Sequence, residues 1–285
     1  MKDLALHRLT RQQLEQFAKM PSHAVVLVGP TGSGKRTLAI KLAEQVLKLP
    51  DASFADHPYG LIIASEDGKA IGIEAVRQLE QFLALKVPSH AIFDRAIIIE
   101  DAHLLTLEAQ NALLKTLEEP PVGTILVLTV THQQAVLPTI RSRMQSIAVG
   151  RLERDELMAY FDSQDFDQKT VQQAYAISGG LPGLMYALLH ETDHPLMEAT
   201  IRARQLLSQS TYERLLVVDE LAKQRQLAID IVFILQQMAH VSLQTASGPA
   251  SRKWQTVLET SYHTREALTT SAQPKLALTD LMLNL

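Results

Sequence analysis

The sequence predicts an α/β domain built on a parallel sheet with helices on both faces, followed by all-helical domains. Three observations predict it. Up to Gly150, short apolar runs alternate with amphipathic helical patterns. The first run, Ala24–Val28, feeds directly into a glycine-rich loop and then a helix. After Gly150 the strand signals stop and helical periodicity continues alone.

Taken in order, Leu4, Leu9, Leu14 and Phe17 approximate helical spacing and place a helix ahead of the first strand. Ala24–Val28 is that strand. Leu38, Ala39, Leu42, Ala43, Val46 and Leu47 mark the helix after the glycine loop, ended by Leu49-Pro50-Asp51. A polar link over 53–59 leads to a strand over 61–64. Ile73, Val76, Leu79, Phe82 and Leu83 form the apolar stripe of a helix within 71–85. A buried strand follows over 96–99, then a helix over 104–117 closed by Glu118-Glu119-Pro120-Pro121. Strands over 124–130 and 145–149 complete the sheet, and the former is expected to lie centrally beside the first strand. Beyond it, 153–161, 170–177 and 182–189 read as short helices, and Pro274 as the start of the last helix. The composition changes again near Thr192-Asp193-His194-Pro195. The expected domains are therefore 1–150 (α/β, loop-bearing), 151–193 (small, helical) and 194–285 (helical). The apolar residues Ile229, Val232, Phe233, Leu235 and Met238 suit an ordinary helical core, and Trp254 reads as packing.

Composition narrows the function. The 285 residues are 46% hydrophobic and 20% charged, as in ordinary globular proteins. A net charge of −4 provides no global basic field to draw the chain onto nucleic acid, so any DNA contact is expected from a local patch or from partners. The absence of cysteine excludes disulfides and thiolate zinc sites and is compatible with a reducing cytosol. Apolar runs such as 125–130 and 231–235 fall short of the ~18 residues a membrane span needs. Met1 to Met20 interleaves charged and apolar residues without the apolar core of a signal peptide. The expected location is the cytoplasm.

The glycine loop, Gly29-Pro30-Thr31-Gly32-Ser33-Gly34-Lys35-Arg36-Thr37, fits the phosphate-binding pattern G-x-x-x-x-G-K-[ST] up to its last position. Such a loop wraps backbone N–H groups around phosphate oxygens, with the helix N-terminus adding its dipole. Gly29 through Thr37 are the candidate residues for ATP or ADP, and Lys35 supplies the point charge. The next position normally carries the hydroxyl that holds Mg²⁺, and here it is Arg36. Thr37 comes one residue late, about 100° further round the helix. Phosphoryl transfer uses Mg²⁺ to neutralise developing charge, so binding is expected to survive better than hydrolysis.

Ala96-Ile97-Ile98-Ile99-Glu100-Asp101 looks like a Walker B element: an apolar strand ending in two carboxylates, one for Mg²⁺ and one for the attacking water. The usual order is Asp then Glu, and here it is reversed. Glu100 is the Mg²⁺ candidate and Asp101 the catalytic candidate, one methylene shorter than usual; catalysis is sensitive to misplacement of about 1 Å. His103 reads as structural. Thr129 and Thr131 are equal candidates for sensing the terminal phosphate. Read from the residues alone, Arg141 and Arg143 suit surface salt bridges, although an arginine at a subunit edge can also stabilise charge on a neighbour's nucleotide.

Three runs carry a family resemblance: Ile71-Gly72-Ile73-Glu74-Ala75-Val76-Arg77, Asn111-Ala112-Leu113-Leu114-Lys115-Thr116-Leu117-Glu118-Glu119-Pro120-Pro121, and Arg141-Ser142-Arg143. They resemble the clamp-loader subunits of bacterial DNA polymerase III, which are AAA+ proteins. The delta-prime type is most similar and the gamma/tau type second. The resemblance is strongest over 22–150 and returns at Gln273-Pro274-Lys275-Leu276-Ala277-Leu278. It implies a P-loop AAA+ core (1–150), a helical lid (151–193) and a collar (194–285) that joins other clamp-loader subunits in a hetero-oligomeric ring. The ring uses ATP to place the sliding clamp on primed DNA, as part of the DNA polymerase III holoenzyme.

The resemblance also assigns roles. The family's Ser-Arg-Cys motif maps onto Ser142-Arg143-Met144, which makes Arg143 an arginine finger acting in trans. Gly183 falls where the gamma-type lid carries a sensor arginine. The family's zinc module is absent, and His57-Pro58-Tyr59 marks where it would have ended. The metal hydroxyl, the carboxylate order and the sensor arginine all depart from a working ATPase while the finger is kept. A delta-prime-like subunit with weak or no ATPase of its own is therefore expected; the alternative is a gamma/tau-like subunit that itself binds and hydrolyses ATP.

Overall fold

The computed structural model describes residues 4–49, 53–65, 68–87, 92–161, 166–270 and 273–285. The chain separates into two compact units, Met1–Gly150 and Arg151–Leu285.

The first unit is the expected α/β layer structure. Helix α1 (Arg8–Lys19) begins one turn later than Leu4, because the His7 ring accepts a hydrogen bond from the Leu9 N–H and caps it. Leu14 and Phe17 are buried, whereas Leu9 points to solvent. Strand β1 (Ala24–Val28) leads through the glycine loop to α2 (Lys35–Val46). Pro50 and Asp51, expected to stop α2, lie outside the described residues. There follow β2 (Gly60–Ile63), α3 (Ile73–Leu83), β3 (Arg95–Ile99), α4 (Leu107–Glu118), β4 (Thr124–Val130), the short α5 (Pro138–Arg141) and β5 (Gln145–Ala148).

The strands pair in parallel in the order β2-β3-β4-β1-β5, with Leu27 opposite both Thr129 and Ile147. β4 is central and beside β1, as expected. Successive strand side chains face opposite sides. Ala24 and Val26 join α3 and α4 in one core, and Val25 and Leu27 join α1 and α2 in the other. Each fully buried Leu or Ile contributes about 1.5–3 kcal/mol. The strand order reverses at β1, and in open α/β sheets ligands bind at the carboxyl ends of strands at that point.

β3 starts one residue earlier than expected because Arg95 has work to do inside. Its guanidinium is buried and donates to the carbonyls of Phe82, Leu83 and Leu85, closing the C-terminus of α3. α4 starts later than expected because Ala102–Leu104 forms a separate 3₁₀ turn, after which Thr106 caps the helix by accepting from the Ala109 N–H.

The second unit is helical: α6 (Arg154–Phe161), α7 (Gln168–Ser178), α8 (Pro182–His190), α9 (Met197–Ser208), α10 (Thr211–Leu216), α11 (Val218–Lys223), α12 (Arg225–Thr245), α13 (Pro249–Thr269) and α14 (Pro274–Asn284). Pro274 opens α14 at its first turn. In α12, Ile231 to Leu235 are buried in an unbroken run, so this helix is the centre of the unit and not an amphipathic cover. By length and hydropathy α12 could cross a membrane; here it packs among Ala203, Leu221, Val257 and Leu281, and Trp254 lies against the same core.

Candidate functional site

At the end of β1 the Gly29 N–H donates to the Val130 carbonyl at 3.1 Å, and the chain then leaves the sheet. A Cβ on Gly29 would lie 2.3 Å from the Val149 carbonyl oxygen, so no larger residue fits. Gly32 and Gly34 sit at φ 84 and 83, the left-handed region that glycine enters freely. Gly34 caps α2 and Lys35 is its first residue. The opening N–H groups of a helix have no acceptor within it, so they are available to an anion. The Ser33 hydroxyl is buried and has no partner. Lys35 is buried, and its Nζ donates back to the Pro30 carbonyl at 3.0 Å. Burial lowers its pKa to about 8, against the opposing pull of Asp101. The orphaned Ser33 hydroxyl, the glycine cradle and the inward lysine fit a phosphate group.

A magnesium ion fits less well. β3 brings Glu100 to the same edge, where its N–H donates to the Ile63 carbonyl. Its Oε2 lies 3.1 Å from Nη1 of Arg36, and its Oε1 is buried without a partner. Burial raises the Glu100 pKa, Arg36 lowers it and Asp101 raises it. The two positions expected to share Mg²⁺ are thus joined by an ion pair, and Thr37 is exposed. Among the described residues, no three His, Cys, Asp or Glu side chains gather as a metal site.

Asp101 adopts a left-handed backbone, φ 45, and its N–H donates to Thr129 Oγ1 at 2.9 Å. Thr129 is therefore a strap between the ends of β3 and β4, whereas Thr131 stands one residue past β4 with its hydroxyl 3.0 Å from His132 Nδ1. His103 lies 3.9 Å from the Asp101 carboxylate. Its pKa is lowered chiefly by burial, with Asp101 opposing and Lys35 and His132 adding to the fall.

The two arginines that sequence grouped together part company. Arg141 turns inward; its Nε is buried without a partner, beside a small cavity walled by Val26, Val28, Val130 and Val136. Arg143 turns outward beyond α5. It pairs with Glu118 Oε1 at 2.7 Å and donates to the Thr139 carbonyl at 2.9 Å. Met144, the residue in place of the motif's cysteine, is buried in the sheet's core. Gly183 lies in the first turn of α8.

Sequence reasoning missed the Arg36–Glu100 pair itself. Its signal was present: the two departures from the ATPase pattern carry opposite charges and fall at the two positions that normally share one cation. It also missed Arg95 and a polar knot in the second unit, where Arg151 donates to the Gly179 carbonyl at 3.1 Å and to Gln237 Oε1. No local pattern announces either.

Residues 5–153 match the family described as DNA polymerase III, delta subunit. The delta-prime subunit of DNA polymerase III from Pseudomonas aeruginosa is 33% identical over 180 residues, covering 56% of this chain and 54% of that protein. The delta-prime subunit from Escherichia coli K12 is 33% identical over 159 residues, covering 52% and 44%. A solved structure of a DNA polymerase III gamma-subunit-related protein from Thermotoga maritima covers 96% of this chain and 97% of that one, with a TM-score of 0.48 and 19% identity. The chain spans about half the length of the curated relatives it matches. With more than half of its residues matched, this chain belongs to the DNA polymerase III delta-subunit family, on its delta-prime side.

Proposed function

We propose that this chain is a delta-prime-type subunit of the DNA polymerase III clamp loader. It works in the cytoplasm with other loader subunits, the sliding clamp and primed DNA. In this reading residues 151–193 form the lid and 194–285 the collar that joins the ring. The chain lends Arg143 to a neighbour's ATP site and turns over little ATP itself. The observation that carries this is the setting of Arg143: its half-buried guanidinium is tied to an exposed glutamate that a phosphate can displace. Its own P-loop holds ATP or ADP through residues 29–37, in a pocket shaped for phosphate but poor in metal ligands, and Asp101 stands too short and half-exposed to be an efficient base.

The test is the reconstituted loader. Arg143→Ala should lower clamp-stimulated ATPase on the order of 10³-fold; unchanged turnover would overturn the finger role. A second reading, a gamma/tau-like subunit that itself hydrolyses ATP, is favoured by the intact Gly34-Lys35 pair. Turnover of Mg-ATP by the chain alone, abolished in Lys35→Ala, would establish it instead.

A further inference from the structure

We infer that the P-loop takes the polyphosphate of a nucleotide without a divalent cation, Arg36 standing on Glu100 where the cation would stand. This deepens the reading that the loop binds ATP or ADP and rests on it.

Three features lead there. The first is coordination. Mg²⁺ demands near-octahedral oxygen ligands at about 2.0–2.1 Å. The helix position that would offer a hydroxyl offers a guanidinium, and the acid that would face the ion is already paired with that guanidinium at 3.1 Å. Thr37, the next hydroxyl, points to solvent.

The second is retention. The Glu100 side chain is only 10% exposed and its Oε1 has no partner. Arg36 already neutralises this shielded carboxylate, so an incoming Mg²⁺ gains Glu100 as a ligand only by displacing a cation that is tethered to the same loop.

The third is capacity. Arg36 is 68% exposed and spends one nitrogen on Glu100. A guanidinium carries five N–H donors in a planar fork suited to phosphate. With Lys35 it supplies two positive charges beside the cradle. It can therefore offset phosphate charge from its place on Glu100, with one positive charge where a magnesium ion would bring two. The same feature that admits nucleotide without metal thus withholds the charge neutralisation that phosphoryl transfer needs.

The experiment is calorimetric titration of ATP, and separately ADP, into the full chain in excess EDTA and in excess Mg²⁺. The wild-type dissociation constants should agree within about twofold between the two buffers. Arg36→Thr, which restores the hydroxyl and frees Glu100, should bind ATP about tenfold or more tightly with Mg²⁺ than without. Lys35→Ala should lose binding in both buffers. Wild-type binding that requires Mg²⁺ would overturn the inference and leave the nucleotide site standing. Arg36→Thr binding that ignores Mg²⁺ would remove Arg36 from the role. An absence of binding in both buffers would overturn the inference and the nucleotide site together, without touching the Arg143 test.

Discussion

Arg36 and Arg143 are the same residue type in the same unit, each paired with a glutamate at close range, and they lead opposite lives. Arg36 holds Glu100, whose side chain is 10% exposed; Arg143 holds Glu118, whose side chain is 51% exposed. An exposed pair contributes about 0–1 kcal/mol and is readily exchanged. A pair with one buried member is kept, because breaking it strands a desolvated charge. The difference teaches which pair is the easier to exchange: Arg36 is tied to a shielded carboxylate, whereas Arg143, although also bonded to the Thr139 carbonyl, is tied to an exposed one, as the proposed handover requires.

The largest effect sharpens that contrast at Arg143. In the reconstituted loader Arg143→Ala should lose about 10³-fold in clamp-stimulated turnover. Glu118→Gln, which only removes the parking partner, should change turnover by less than about threefold. If both variants lost activity equally, Glu118 would be part of the site and the handover would be wrong.

How much of this was legible beforehand depends on how local each feature is. β1 and β4 stand where the sequence placed them, because fully buried parallel strands are unbroken apolar runs between sharp turns. The edges of β3 and α4 shifted for tertiary reasons: Arg95 reaches back to α3, and Asp101 turns left-handed against Thr129. The loop from Gly29 to Lys35 was legible because its chemistry is written in consecutive residues. The pairing of Arg36 with Glu100 was not, since the two lie on elements far apart in sequence and meet only when the sheet forms. The inward turn of Arg141 and the outward turn of Arg143 were equally invisible, as residues two apart in a short turn carry no periodicity that assigns them to inside or outside.

Lys35 gives the next prediction, of intermediate size. Its pKa is about 8 in the fold against 10.5 ordinarily, mainly through burial. Between these values the unfolded chain binds the extra proton, so stability rises as pH rises through about 8 to 10.5; below about 8 the full penalty applies. Lys35→Met removes the charge and should stabilise the chain by about 1–3 kcal/mol at pH 7 in urea denaturation. The gain should shrink toward zero as pH approaches 10.5. A gain independent of pH would mean that packing, and not the buried charge, is responsible.

The smallest effect tests the comparison itself, by stability alone. Arg36→Ala should cost about 1 kcal/mol at pH 7, because it leaves the shielded Glu100 carboxylate unpaired, while Arg143→Ala should cost less than about 0.5 kcal/mol. The two should also respond differently to acid. Burial already raises the Glu100 pKa and Arg36 is what opposes it, so without Arg36 the group takes up its proton at higher pH. A neutral Glu100 no longer needs a counter-charge, and the cost of Arg36→Ala should fall as pH drops through the carboxylate range. Urea midpoints measured at neutral and mildly acidic pH decide it. Equal and pH-independent costs for the two arginines would mean that Glu100 is no better shielded than Glu118, and the tethered guanidinium would lose its reason to stay.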